Sequence, residues 1–258
     1  MLAQFLAFVY CFYVLKKLEF MKIRKEDWQS QKEIMRLQCK MGFPFALQHV
    51  LVAVGGMILQ SAINRQGVAF VAGFTAANKV FGLLESSAIS IGHAVTTYMA
   101  QNYGGGFYLR IRKGLKSAVL FSALLAGAIA VCMILSGRMI LGLFIDNTNG
   151  NAGKALEIGY HYLYVVNCYL CPLYLLYVFR NTLQGIGRSF ASFLAGVMEF
   201  AGRVLAATVF LKVFGTEIIF YADPMAWIAA MVVLTIICID TICNSYNFII
   251  WNKRSEFI

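Results

Sequence analysis

The run Ser117–Ser136, SAVLFSALLAGAIAVCMILS, decides what kind of protein this is. It is twenty residues without a charge, preceded by Lys116 and followed, after Gly137, by Arg138. At 1.5 Å per residue a helix of that length reaches about 30 Å, the thickness of a bilayer's hydrocarbon core. A barrel strand would need only about ten residues and would alternate polar with apolar positions, which this run does not do. Working outward, comparable apolar runs occur at 1–15, 43–64, 77–101, 158–179, 189–211 and 224–250. The fold class these runs predict is an all-α polytopic membrane protein.

The rest of the composition agrees. Of 258 residues 60% are hydrophobic and 13% charged, and the mean hydropathy is +0.71. A soluble domain carries about 25% charged residues, so soluble enzymes and nucleic-acid binders are excluded and no enzymatic activity is expected. The net charge of +10 would otherwise suggest a nucleic-acid partner, but the bases sit in short stretches between the apolar runs, as the positive-inside rule requires. Of the seven cysteines, Cys132, Cys168, Cys171, Cys238 and Cys243 all lie inside apolar runs rather than in loops, so no disulfide framework is implied. Cys168 and Cys171 form a C-x-x-C whose apolar setting argues for packing rather than for redox or zinc chemistry. His49, His93 and His161 are each alone in their segments, and no metal site is expected.

Counting bases by side gives a topology. With the polar stretch 16–40 taken as cytoplasmic, sixteen Lys and Arg fall on its side and four, Arg65, Arg138, Lys154 and Lys212, on the other. The N-terminus is therefore expected outside and the C-terminus inside the cytoplasm. The first run, 1–15, reaches only about 22 Å and reads as a truncated helix. Lys16 and Lys17 follow it rather than precede it, which is unlike a signal peptide. Residues 16–41 read as a cytoplasmic linker, with Ile23, Ile34, Leu37 and Met41 at helical spacing and Trp28 available for the interface. The stretch 68–76 is either a surface turn or an extension of the run that follows it.

From Gly42 onward the order of small and polar residues resembles the C-terminal half of the MATE (multidrug and toxic compound extrusion) transporters. The marks are Gly42-x-Pro44, Gln60-x-x-x-Asn64-x-x-Gly67, Ala100-Gln101-Asn102-x-Gly104, Gln184-Gly185-x-Gly187, Glu199-x-x-x-Arg203 and Pro224-x-Ala226-Trp227. Each is weak alone; in this order and at these ends of the runs they are specific. The resemblance implies a twelve-helix antiporter of two six-helix lobes that exports bulky, often cationic compounds in exchange for Na+ or H+. Residues 42–258 then correspond to the six-helix C-terminal lobe, 1–15 to the end of the amino-terminal lobe and 16–41 to the interlobe linker. The chain reads as a half, a fragment that needs a missing amino-terminal lobe or a second half-transporter chain. Its other partners would be the lipid bilayer of a bacterial inner (plasma) membrane and small organic cations. It departs from the branches that carry acids in the seventh and tenth helices, since 43–64 has no acid and Tyr160–Phe179 has none either.

An acid within a span costs about 2.5–3.5 kcal/mol on insertion scales unless a partner or a wet cavity receives it. Glu85, Glu199 and Asp240 are therefore the informative acids. Glu199 and Arg203 are one turn apart in the favourable order and read as a structural ion pair. Asp240 sits among Thr241, Asn244 and Ser245, which solvate it locally. Glu85 has Phe81 and Ile89 at its i−4 and i+4 positions and no partner on its own helix. It shares a face with Asn78 and Gly92, so cavity lining and an interhelical hydrogen bond are both open. Gln48, Gln60 and Asn64 give the preceding helix a similar polar set, and Tyr164 and Asn167 join them as cavity-lining candidates, with Pro172 marking a kink.

Three other readings compete. A seven-helix receptor fits the outside N-terminus but offers no lysine in the membrane part of the last run for a retinal Schiff base. A lipid-linked oligosaccharide flippase should line its cavity with more cations than Arg203 and Lys79. An inactive gene remnant would need no site at all.

Overall fold

The computed structural model describes residues 2–18, 31–145 and 152–255, with side chains up to residue 241. Ile23 and Trp28, and the side chains of Asn244 and Ser245, lie outside the described residues. All described elements are helical. They are α1 (Leu2–Lys17), α2 (Lys32–Asn64), α3 (Val68–Gly104), α4 (Tyr108–Gly142), α5 (Ala152–Cys168), α6 (Leu170–Gly185) and α7 (Ser189–Leu205). A π turn (Ala206–Phe210), the short α8 (Leu211–Phe214), a 3-10 turn (Gly215–Glu217) and α9 (Ile218–Ser255) complete them. The chain divides into two units, Met1–Lys40 and Met41–Ile258. In the first, α1 has 16 residues and none is buried.

In the second unit the apolar runs become six helical arms. By length and composition four described helical runs can cross a membrane, and a fifth is gained if α5 and α6 count as one span bent by 52°. The run Ser189–Thr241 is itself a hairpin: a Cβ on Gly202 would lie 2.9 Å from the Cα of Ala226, and Arg203 reaches Asp223, so α7 and α9 lie antiparallel around the turn at Gly215. The stretch 68–76 belongs to α3, which runs unbroken from Val68. The last arm starts at Ile218, six residues before Pro224, which lies inside α9.

Two of the quoted motif glycines have identifiable jobs at one helix end. Arg188 N–H donates to Leu183 O at 2.8 Å and Gly187 N–H to Gln184 O at 3.0 Å. That pair of bonds closes a helix through a left-handed residue, and Gly187 has φ +81°. Gly185 is instead needed for closeness, because a Cβ there would sit 2.7 Å from Thr96 O on α3.

The expected kink is present but falls at Tyr169, between α5 and α6 and three residues before Pro172. Pro172 has no N–H for the carbonyl of Cys168, which is the local reason the ladder breaks there. Further packing is by close approach, as membrane bundles require when lipid supplies no hydrophobic drive. Gly73 of α3 meets Gly159 of α5 backbone to backbone, and a Cβ on Gly73 would lie 2.2 Å from Ala155 O. Phe74, Tyr162 and Phe220 tie α3, α5 and α9 together through ring contacts.

Candidate functional site

The polar residues of the spans converge on the inner face of this bundle. Glu199 of α7, 3% exposed, pairs with Arg180 of α6, 7% exposed. Its second oxygen lies 3.5 Å from Arg203 Nη1, and Arg203 Nε donates to Asp223 Oδ1 of α9 at 2.7 Å. Tyr162 Oη completes the chain with a 3.5 Å contact to Asp223 Oδ2. The expected Glu199–Arg203 pair is present, but at 3.5 Å it is a longer contact than the Arg180–Glu199 and Arg203–Asp223 pairs on either side of it in a five-residue network. Arg180, which the base count had assigned to a cytoplasmic stretch, is a buried partner inside α6. Removing it leaves fifteen bases against four, so the asymmetry that argues for the topology persists.

Glu85 on α3 is different. Its partner comes from the neighbouring helix: Tyr177 Oη donates to Glu85 Oε1 at 2.9 Å. The sequence could not supply that partner, because Tyr177 is 92 residues away. Beside it, Asn181 Oδ1 accepts from Thr96 Oγ1 at 2.7 Å and Asn181 Nδ2 donates to Tyr177 O at 2.8 Å, which locks α3 to α6. Gly92 is required there, since a Cβ would lie 2.4 Å from the Asn181 amide. Tyr174 Oη bonds Ser87 and the carbonyl of Leu84 on the same stretch of α3. No ion pair to Glu85 occurs among the described residues.

Two cavities meet at this carboxylate. One of about 200 Å³ lies toward the start of α2 and the end of α3, among Gln48, His49, Glu85, His93, Arg180 and Glu199. The other, about 250 Å³, lies toward the end of α2 and the start of α3, among Gln60, Asn78, Glu85, Arg203 and Asp223. Val52, Glu85, Arg203 and Trp227 line both. Of the cavity candidates, Gln48, Gln60, Asn78 and Glu85 are thus brought together. Asn64 lines a separate groove with Lys79 and Phe144, although Gln60 Nε2 donates to its Oδ1 at 2.9 Å. Tyr164 and Asn167 line neither of the two cavities: Tyr164 is 46% exposed on the outside of α5, and Asn167 is buried with its amide donating to Leu163 O at 2.7 Å. Arg180, Tyr177 and Asp223 are the members that sequence reasoning missed. Arg180 stands at the end of an apolar run and was counted with the cytoplasmic bases, and Asp223, just before Pro224 at the start of another run, drew no reading.

A charged, hydrogen-bonded cavity among membrane-length helices is a feature that secondary transporters share. The chain belongs to the MatE family, whose model matches residues 44–201. It is 23% identical over 128 residues to "Probable multidrug resistance protein YoeA" and 27% identical over 165 residues to "Probable multidrug resistance protein YpnP", both of Bacillus subtilis (strain 168). These matches cover 50% and 63% of this chain and 28% and 35% of those proteins. Among solved structures it is similar to a MATE in the bent conformation, with a TM-score of 0.79 and 17% identity, over 90% of this chain and 51% of the other. An inward-facing multidrug resistance MATE family transporter of the MOP superfamily gives a TM-score of 0.70 and 18% identity, over 87% and 52%. The chain thus spans about half the length of the structures whose fold it shares.

Proposed function

We propose that residues 42–258 form the C-terminal lobe of a secondary active efflux antiporter that exports organic, often cationic, compounds in exchange for Na+ or H+. Residues 1–15 and 16–41 would be the end of the amino-terminal lobe and the interlobe linker, with the C-terminus in the cytoplasm of a bacterial inner membrane. The observation that carries this reading is the charge balance of the cavity. Three carboxylates, Glu85, Glu199 and Asp223, face two guanidiniums, Arg180 and Arg203. Both guanidiniums are spent on Glu199 and Asp223. Glu85 is left with a phenol only, so in its ionised form it gives the cavity one negative charge that a proton, a sodium ion or an organic cation can neutralise. Alternating access needs a second body on the far side of the site, which an amino-terminal lobe or a second half-transporter chain would supply.

The test is efflux of a fluorescent lipophilic cation such as ethidium from cells expressing the chain with and without a fitting amino-terminal lobe. Export is expected only with both, and Glu85→Gln should abolish it at unchanged membrane abundance. Robust export by this chain alone in liposomes would replace the two-lobe reading with a homodimer. Normal export by Glu85→Gln would remove Glu85 from the mechanism.

A further inference from the structure

The start of α4 goes against two local rules of helix electrostatics. Arg110, Arg112, Lys113 and Lys116 are all exposed, and no acid occurs between Glu85 and Asp146. Arg110 stands in the first turn, where the positive end of the helix dipole opposes a cation. Lys116 is one turn from Arg112, and like charges at that spacing oppose the helix. Lys113 and Lys116 make no ion pair among the described residues. The segment is nonetheless held in place by α3. Tyr98 Oη donates to Arg110 O at 3.1 Å, and its ring lies against Gly114, where a Cβ would come within 2.2 Å of it. The Arg110 guanidinium sits 4.7 Å from the centre of the Phe107 ring.

These bases also sit at a definite depth. The uncharged run 117–136 fills the hydrocarbon core, so Lys116 borders the core, and Lys113 and Arg110 lie about 6 Å and 10 Å beyond its edge. The headgroup layer is about 5–7 Å deep on each side, and long basic side chains adjust their charge to it. Lys113, Lys116, Leu120 and Leu124 share one face of α4 by their spacing. Leu120 is 62% and Leu124 65% exposed. Cations at headgroup depth therefore stand directly over an uncovered apolar wall at hydrocarbon depth. Setting a topology requires only that bases lie on one side of the membrane; it does not require them to be stacked over such a wall. An acidic soluble partner would meet the bases but not the two leucines. A molecule with an anionic head and an apolar tail meets both.

We propose that the α3–α4 hairpin seats one anionic phospholipid of the surrounding bilayer, with its phosphate among Arg110, Lys113 and Lys116 and an acyl chain along Leu120 and Leu124. The phosphate oxygens accept from the two ammonium groups and the guanidinium, and the negative charge offsets the repulsion among the bases. A zwitterionic lipid such as phosphatidylcholine brings its own cation into the cluster and relieves less of that repulsion, so the seat selects for net negative charge. None of these residues lines either cavity at Glu85. The inference therefore stands or falls apart from the transport reading, and it holds whichever side of the membrane the hairpin faces.

The experiment titrates phosphatidylglycerol or phosphatidylcholine of matched chains into the purified 258-residue chain in a neutral detergent and counts bound lipids by native mass spectrometry. The first phosphatidylglycerol should bind roughly tenfold or more tighter than phosphatidylcholine, and the margin should shrink as salt rises. Lys113→Gln and Lys116→Gln should each weaken it about fivefold, and the triple variant with Arg110→Gln should bind both lipids alike. Arg138→Gln, at the opposite end of α4, should leave the margin unchanged. Glycerol phosphate, which has the headgroup charge and no tail, should not compete. A second measurement needs no variant: phosphatidylglycerol with a photoreactive diazirine in its headgroup is crosslinked to the parent chain in phosphatidylcholine nanodiscs, and its adducts should map to residues 107–117. Equal binding of the two lipids, a margin unmoved by the lysine variants, competition by glycerol phosphate at equal concentration, or adducts centred elsewhere would each overturn the seat.

Discussion

Replacing Glu199 by Gln tests the charge network most directly. Glu199 is the one acid within reach of Arg180 among the described residues, while Arg203 keeps its 2.7 Å bond to Asp223 and loses only a 3.5 Å contact. The damage should therefore fall on Arg180, which is buried and already has its Nε unmatched. Stripping one partner from a buried pair costs about 3–5 kcal/mol because the remaining charge is uncompensated. At 1.4 kcal/mol per tenfold, that lowers the folded-to-unfolded ratio roughly a hundredfold to a few thousandfold. Removing both charges with Arg180→Leu and Glu199→Leu together should recover most of the loss, since apolar residues of similar volume often replace such a pair at little cost. The assay is SDS or thermal unfolding of purified protein in detergent, followed by size-exclusion recovery, for the parent, both single variants and the double. If Glu199→Gln unfolds within about 1 kcal/mol of the parent, or if the double variant is as weak as the singles added, Arg180 is solvated through the cavity rather than held by Glu199.

Other outcomes follow from the same contacts. Tyr177→Phe deletes one interhelical hydrogen bond and should cost about 0.6 kcal/mol, at most about 1.7, on the same unfolding assay. Gly73→Ala places a methyl against the backbone carbonyl of Ala155 and should destabilise by about 1–3 kcal/mol through overpacking, whereas Gly56→Ala, with open space at its Cβ, should be neutral or slightly stabilising. Reporter fusions after Asn102 should be active on the cytoplasmic side and fusions after Thr216 on the opposite side. The reverse pattern would overturn the topology drawn from the base count.

The helical membrane class, the positions of the arms and the likeness to one transporter family were legible along the chain, because each rests on local physics. A run of twenty apolar residues declares a span by its own length, and a helix end declares its glycine by its own backbone bonds, as Gly187 does. The Glu199–Arg203 contact was legible for the same reason, being one turn of one helix. The face shared by Asn78 and Glu85 was also periodicity, and it does line a cavity.

What the tertiary structure decided is how the charges are shared. Arg180 stood among the cytoplasmic bases and Asp223 drew no reading, yet the antiparallel crossing of α6, α7 and α9 buries Arg180 against Glu199 and brings Asp223 onto Arg203. Glu85 lacked a partner on its own helix and found one in Tyr177 through the packing of α3 on α6. Electrostatic and hydrogen-bonding partners act over a few ångströms in space, whatever their separation in sequence, and that separation is 19 residues for Arg180 and Glu199 and 92 for Glu85 and Tyr177. The sequence alone determined that this protein lies in a membrane as helices. Only the folded bundle determined that the cavity's two guanidiniums pair with Glu199 and Asp223, and that Glu85 pairs with the phenol of Tyr177 instead.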